Sequence, residues 1–208
     1  MKTVVALIAG IPLAMLGVYG SAAQSQGTQG APAIVNSTCY MCHSEHGNDP
    51  YLAFVPRLAA QNATYIEEQL KAFRDGSRAS PPATMYMWPI TQQLTESEMK
   101  GVAQWYASQS PPAPFPKDKS TYEQGRAIFE KGVLKSDVAA CSSCHGAKAA
   151  GNGIFPRLAG QTPQYLLSQL RYFRSGARND KRADIMKPIA SHLTEAQMNA
   201  VAHYLSTL

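Results

Sequence analysis

The chain contains an internal repeat that covers most of its length, and this repeat limits the folds it can adopt. "VPRLAAQNATYIEEQLKAFRDGSR", which begins at Val55, matches "FPRLAGQTPQYLLSQLRYFRSGAR", which begins at Phe155, at an offset of 100 residues. Further on, "MWPITQQLTESEMKGVAQWY" matches "MKPIASHLTEAQMNAVAHYL" at an offset of 99. Long matches at a nearly constant offset are the signature of a duplicated structural unit. We therefore predict two tandem domains with the same fold.

A proline-rich segment separates the two repeats. It reads "SPPAPFPKDKS" over residues 110–120, and its four prolines favour an extended, semi-rigid connection. We place the first domain at 24–110, the linker at 111–120 and the second domain at 121–208.

Each repeat carries signals of helices, and neither shows the alternating pattern of strands. Helix starts are predicted from capping residues, namely Asn62, Thr162 with Pro163 behind it, Thr95 with Glu98, and Thr194 with Gln197. Gly76 and Gly176 are predicted helix ends. The fold class is therefore all-α, with two small helical domains.

All four cysteines of the chain lie in two C-x-x-C-H motifs. The motifs are Cys39, Cys42 and His43 in the first repeat, and Cys141, Cys144 and His145 in the second. Two thiols at this spacing can add to the two vinyl groups of one porphyrin, while the histidine reaches the iron. A zinc site built from both cysteine pairs and a redox disulfide are the alternatives. The doubled motif with its two histidines favours two covalently bound haem c groups.

The first 23 residues resemble an export signal. Lys2 precedes an apolar stretch from Val4 to Val18, and small residues up to Ala23 offer a cleavage site. We predict a signal peptide over 1–23, with an uncleaved membrane anchor as the alternative. Export fits haem c attachment, which is completed in an oxidising compartment.

Size and charge narrow the function further. Domains of about 80–90 residues bury only a modest core, and a haem would supply the missing apolar centre. The formal net charge is +5, without a long run of Lys or Arg, so nucleic-acid binding is not indicated.

Methionines at one repeated position are the candidate second iron ligands. Met87 and Met186 both lie two residues before Pro-Ile and seven before Leu-Thr, in segments that we interpret as loops. A thioether ligand raises the reduction potential of haem iron and suits electron transfer. Met85 is the alternative in the first repeat. We interpret Met99 and Met198, on predicted helices, as core residues.

The other histidines are weaker candidates. His46 follows His43 too closely, and two more histidines do not recur in the other repeat. We interpret all three as solvated or hydrogen-bonded side chains: His46, His192 and His203.

In combination, "CSSCHG", "FPRLAGQ", "YLLSQLRYFRSGAR", "MKPIA" and "LTEAQMNAVAHYL" resemble the diheme cytochrome c4 family. The resemblance covers nearly all of the chain after the leader. It implies two class I cytochrome c domains related by a pseudo-twofold axis, with their haem edges close together. It also implies electron transfer in the periplasm, often toward a terminal oxidase and in some members with association with the membrane.

The resemblance assigns roles to matching positions. The carbonyls of Pro56 and Pro156 would accept a hydrogen bond from the ligand histidines. Further haem surroundings are Leu58 and Leu158, which would pack on the porphyrin, and Arg57 and Arg157, which would meet haem propionates or remain solvated. In the second repeat, Gly125 and Phe129 resemble the first-helix pair that crosses the last helix near Tyr204.

The first repeat departs from this pattern. Only about fifteen residues separate Ala23 from Cys39, and "GTQGAPAIVNST" lacks the Gly-x-x-x-aromatic helix. Trp105, aligned with Tyr204, is therefore expected to lack its usual partner. This departure predicts that the two haems are inequivalent.

Three functions fit these residues. We favour an electron carrier between a donor, either a cytochrome or a small blue-copper protein, and a terminal oxidase. A cytochrome subunit bound permanently to a dehydrogenase or oxidase complex shares the same fold and cofactor. A diheme peroxidase or thiosulfate-oxidising enzyme is less favoured, because open-site chemistry needs an iron without a strong sixth ligand. Cysteine ligation of the iron is excluded, because all four cysteines are used for attachment.

Overall fold

Two sets of helices in the same order make up residues 32–208, the part of the chain that the computed structural model describes. No β-strand occurs between residues 32 and 208, where the extended pairings are isolated bridges. The prediction of an all-α fold is confirmed. The predicted signal peptide, 1–23, lies outside the described residues.

Within residues 32–110, the first half contains four α-helices and two short π-helical segments. The α-helices are α1 (Tyr40–His43), α2 (Ala63–Arg74), α3 (Trp88–Thr91) and α4 (Glu96–Ala107). The π-helical segments, Val35–Cys39 and Ala83–Met87, directly precede α1 and α3. Segments of this kind are frequent at functional sites.

The second half contains five α-helices. They are α5 (Tyr122–Lys131), α6 (Ser142–His145), α7 (Pro163–Ser175), α8 (Ala183–His192) and α9 (Glu195–Ser206). Each half has its own apolar cluster, centred on α2 with α4 and on α7 with α9. Met99 and Met198 are fully buried in these clusters, which confirms them as core residues.

The predicted helix caps are present, with one difference. Asn62 accepts from the Thr64 and Tyr65 amides, and both capping boxes are formed. Thr162 is the N-cap residue of α7, but its hydroxyl donates across the molecule to the Ala53 carbonyl at 2.9 Å instead of capping the helix. Tertiary contact therefore replaces the local hydrogen bond that the sequence predicts.

The second half contains the expected crossing of its first and last helices. A Cβ at Gly125 would lie only 2.6 Å from Tyr204 Cβ, so glycine allows α5 to approach α9 closely. The Phe129 ring is fully buried, with its centroid 5.6 Å from that of Tyr204. The roles predicted for Gly125 and Phe129 are confirmed.

The first half replaces this crossing with a different contact. Within residues 32–208, no helix equivalent to α5 precedes the first motif, and residues 24–31 lie outside the described part. Trp105 instead donates from Nε1 to the Glu45 carbonyl at 3.0 Å, and its ring centroid lies 6.1 Å from that of His46. Trp105 thus has an aromatic neighbour, His46, which lies three residues after the motif histidine His43.

The two halves pack as one unit through reciprocal hydrogen bonds. Gln61 accepts from the Arg157 amide at 2.8 Å and donates to the Arg157 carbonyl at 2.9 Å. Gln161 makes the same two bonds, at the same lengths, with the backbone of Arg57. Equivalent residues thus exchange equivalent contacts, which is the pattern of a pseudo-twofold axis.

The proline-rich segment is also fixed to the domains. Phe115 donates from its amide to the Ser206 carbonyl at 2.8 Å, and the Arg57 guanidinium lies 4.2 Å from the centre of the Phe115 ring.

Among the helices of residues 32–208, none is long and apolar enough to cross a lipid bilayer.

Candidate haem-binding site

Both C-x-x-C-H motifs line one continuous cavity at the junction of the two halves. The four motif cysteines and both motif histidines contribute to its wall, together with mainly apolar side chains from both domains. Each motif ends in a one-turn helix, α1 or α6, which places its cysteines and histidine on the cavity wall. The duplication thus brings both motifs to one shared interior space.

The two histidines are held in the same way. The Nδ1 atom of His43 lies 3.0 Å from the Pro56 carbonyl, and that of His145 lies 2.9 Å from the Pro156 carbonyl. Both rings are buried, and burial lowers the pKa of each imidazole although the proline carbonyl opposes this effect. A neutral imidazole that donates from Nδ1 leaves Nε2 as the nitrogen for a metal.

The cysteines differ in exposure. Cys39 and Cys141 are half-buried, and burial raises the pKa of each thiol to about 11. Cys42 is exposed, whereas Cys144 is half-buried. None of the four is joined in a disulfide, which fits attachment of haem by thioether bonds.

The structure separates the methionine candidates by position. Met87 and Met186 are half-buried and line the cavity, whereas the Met85 side chain is 66% exposed and lies outside the lining. The interpretation of their segments as loops is wrong: Met186 lies inside α8 and Met87 ends the π-helix Ala83–Met87. Pro188 lies inside α8 with its ring exposed, although a proline within a helix removes one backbone hydrogen bond.

The other predicted surroundings also lie at the cavity. Leu58, Leu158, Arg57 and Arg157 all contribute to its lining. The Arg57 side chain is only 11% exposed and donates to the Ala113 and Gly160 carbonyls, so it is not a solvated arginine.

The remaining histidines have other environments. His46 Nδ1 lies 3.0 Å from Gln109 Oε1, as expected for a hydrogen-bonded side chain. His192 is exposed and His203 is half-buried, and neither contributes to the cavity lining.

Unpartnered arginine nitrogens show that the cavity suits a ligand with carboxylates. Four arginines that line it have a buried Nε without a hydrogen-bond partner among residues 32–208: Arg57, Arg78, Arg157 and Arg182. Buried N–H donors without acceptors are costly, and carboxylates such as haem propionates would satisfy them. Together with the apolar lining, the paired thiols and the two histidines, these arginines make a cavity that fits haem c.

A second polar cluster at the junction was not predicted as functional. Arg78 donates to Tyr165 Oη at 3.0 Å and to Gln169 Oε1 at 2.8 Å, while Arg178 donates to Tyr65 Oη and Gln69 Oε1 at the same distances. An antiparallel bridge joins the two arginines through the backbone. The sequence signal for this cluster is that the same arginine, tyrosine and glutamine recur in both repeats, the tyrosine and glutamine on α2 and α7 and the arginine just after each helix.

The zinc alternative is not supported by the arrangement of side chains. Within residues 32–208, no three His, Cys, Asp or Glu side chains come close enough together to hold a metal ion.

Comparison with known proteins agrees with this geometry. The family model for cytochrome c matches residues 28–110 and 122–208. The chain is 42% identical to cytochrome c-552 of Acidithiobacillus ferridurans, over 94% of this chain and 85% of that protein. It is 32% identical to the thiosulfate dehydrogenase electron acceptor of Stutzerimonas stutzeri strain A1501, over 100% and 97%. The solved structure of Acidithiobacillus ferrooxidans cytochrome c4 superimposes with a TM-score of 0.76 at 42% identity, covering 82% of this chain and 98% of that chain.

Each helical domain supplies a haem-attachment motif, a buried histidine and a methionine to one cavity. These features define a two-domain c-type cytochrome. With the relatives above, the chain belongs to the diheme cytochrome c4 family. It carries two covalently bound haem c groups and is an electron-transfer protein, not an enzyme. Its partners are therefore other redox proteins.

Proposed function

We propose that this diheme cytochrome carries electrons in the periplasm from a donor, either a cytochrome or a small blue-copper protein, to a terminal oxidase. The observation that carries the proposal is the shared cavity, whose wall includes both haem motifs and both candidate methionines. Two redox groups in one interior space can pass an electron within the chain, so that donor and acceptor can dock on different domains. Transient docking of this kind needs only a small interface.

The division of the chain supports this assignment. We propose a signal peptide over 1–23, a first domain over 24–110, a linker over 111–120 and a second domain over 121–208. Export would place haem attachment in the oxidising compartment where it is completed. Association with the membrane surface stays part of the proposal.

Each domain supplies the same set of protein groups. Cys39 and Cys42 attach the first haem, and Cys141 and Cys144 attach the second. His43 with Met87, and His145 with Met186, would ligate the two haem irons. When bound, each haem iron supplies one-electron oxidation and reduction.

The surrounding residues position these groups. The Pro56 and Pro156 carbonyls hold the histidine tautomer and ring orientation. Leu58 and Leu158 exclude water from the porphyrin face, and Arg57 and Arg157 offer buried N–H donors to propionates. With both ligands and this shielding, a bound haem would serve electron transfer and not substrate chemistry.

Methionine variants test the ligand assignment. In the oxidised protein, Met87→Ala or Met186→Ala should each halve the long-wavelength absorption band of methionine-ligated ferric haem and lower one reduction potential. Met85→Ala is the matched control, because its exposed side chain lies outside the lining, and it should leave the band intact. Loss of half the band in Met85→Ala with no loss in Met87→Ala would reverse the assignment in the first domain.

Rapid mixing tests the carrier function. The wild-type protein should be reduced within milliseconds to seconds by a reduced blue-copper protein or cytochrome, and reoxidised by membranes that contain a terminal oxidase. A protein that accepts electrons but is not reoxidised by any such membrane would contradict the proposed route.

The second candidate is a cytochrome subunit bound to a dehydrogenase. It is favoured by the similarity to the electron acceptor named for thiosulfate dehydrogenase. Co-purification from the native host at low and high salt separates the candidates: a free carrier elutes alone, whereas a subunit retains its partner.

A further inference from the structure

The buried cluster at the junction is symmetric except at one pair of positions. Position 80 of the first repeat and position 180 of the second are equivalent, but the first holds Ser80 and the second Asp180. Both residues are buried at the cavity, with 3% and 5% of their surface exposed. Their backbones are equivalent too, because the Ser80 carbonyl accepts from Ala83 and the Asp180 carbonyl from Ala183. The difference is therefore confined to the side chain.

This exchange changes the hydrogen bonding of the two arginines. Arg178 Nε donates to Asp180 Oδ1 at 2.8 Å, and Gln69 Nε2 donates to the other carboxylate oxygen at 3.3 Å. In the first domain the equivalent position holds Ser80, and Arg78 Nε is buried without a partner among the described residues. The cluster thus contains two buried guanidinium groups and one carboxylate.

Asp180 is ionised in this environment. Burial raises the pKa of its carboxyl group, but Arg178, Arg78 and the hydrogen bond from Gln69 together lower that pKa below its usual value. A buried charge acts over a longer distance than an exposed one, because water and salt screen it less.

We propose that Asp180 tunes the two haems unequally, by placing one fixed negative charge at the second domain's side of the cavity. The carboxylate stabilises the oxidised, more positive state of the nearer haem and so lowers its reduction potential. Asp180 is anchored at the start of the segment that leads into α8, the helix that carries Met186, so the second domain's haem feels the larger effect. In the first domain, Ser80 leaves Arg78 Nε available to a propionate. Asp180 thus acts through its charge and does not touch the iron. The proposal rests on the haem ligation proposed above.

Isosteric replacement tests the proposal directly. The holoprotein and its Asp180→Asn variant are titrated by spectroelectrochemistry, and each one-electron component is assigned to a domain from its haem methyl resonances. At the wild-type midpoint, the variant should show an oxidised-to-reduced ratio of the second haem that is roughly threefold to tenfold lower, an upward shift of at most about 59 mV. The first haem should shift in the same direction by less.

The reciprocal change supplies a second test that keeps the native ion pair. Ser80→Asp places a carboxylate beside Arg78 and should lower the potential of the first haem more than that of the second. Ser80→Asn is the matched control, which adds similar volume without charge and should leave both potentials near those of the wild type.

The outcomes separate the two proposals. Unchanged potentials in both Asp180→Asn and Ser80→Asp, with the methionine band intact, would overturn the role of Asp180 but not the ligation. A larger shift at the first haem in Asp180→Asn would overturn the assignment to the second domain. If the wild-type protein lacks the methionine band for either haem, the proposed ligation itself fails.

Discussion

The two domains share a fold and a haem motif, but they stabilise it differently. In the second domain, α5 crosses α9 through Gly125 and the buried Phe129. In the described part of the first domain, the last helix instead packs Trp105 near the haem motif, against His46. Eight of the eleven large apolar side chains that are exposed within residues 32–208 belong to the first domain. The two halves of the haem-binding cavity are therefore alike, whereas the packing of the last helix and the exposed apolar surface differ between the domains.

Removal of the central aromatic ring of the second domain should have the largest effect. Phe129→Ala is expected to lower the free energy of unfolding by about 3–5 kcal/mol, because it opens a cavity in a fully buried site. Trp105→Ala in the first domain should cost less, since Trp105 is only half-buried. Chemical denaturation followed by haem absorbance measures both, and an equal cost would contradict the difference between the domains.

Two glycine substitutions, one in α5 and one in α4, compare how tightly the last helix of each domain is packed. Gly125→Ala should destabilise the protein by about 1–3 kcal/mol, because the new Cβ would overlap α9. Gly101 in α4 aligns with Ala200 in α9, and among residues 32–208 a Cβ there would meet only Pro32 Cγ, at 3.8 Å. Gly101→Ala should therefore be neutral or stabilise by up to about 1 kcal/mol, owing to its higher helix propensity. Thermal unfolding of the two variants tests these opposite signs.

Substitution of either interface glutamine, Gln61 or Gln161, should lower the free energy of unfolding by a similar amount. Gln61→Ala and Gln161→Ala each remove two hydrogen bonds to the backbone of the other domain. Each should cost about 1–3 kcal/mol, since buried backbone groups lose their partners. The two values should agree within about 0.5 kcal/mol, and a large inequality in denaturant unfolding would show that the interface is not pseudo-symmetric in energy.

Surface ion pairs should contribute least. Glu96 pairs with Lys71 and Arg74, and Glu195 with Arg171 and Arg174; hydrogen bonds from these cations lower the pKa of both carboxyl groups. Because the folded-state pKa is lowered, the stabilisation is present at neutral pH and is lost as the pH falls below about 4.5 through the folded value. Glu96→Gln and Glu195→Gln should each lower the melting temperature slightly at pH 7, with no difference from wild type at low pH or in 1 M salt. A difference that persists at low pH would contradict an electrostatic origin.

Much of the fold could be predicted from the sequence because the duplication supplies an internal alignment. The repeat selected Met87 over Met85 as the candidate, and the capping residues located the starts of α2, α4 and α9. Contacts between distant segments could not be predicted. The cross-domain hydrogen bond of Thr162, the packing of Trp105 on His46 and the burial of Asp180 depend on how the two halves meet, which local patterns do not encode. The segments of Met87 and Met186 were interpreted as loops but are helical in the structure, with Pro188 contained in α8.

Haem content and ligation in the wild-type protein test the central claim most directly. A pyridine haemochrome assay gives the haem-to-chain ratio, and the oxidised spectrum gives the number of methionine-ligated irons. We predict two low-spin haems c per chain. The methionine absorption band per chain should then be twice as intense as that of a protein with one methionine-ligated haem. One haem per chain, or a high-spin component in the oxidised protein, would contradict a two-haem carrier with both irons closed.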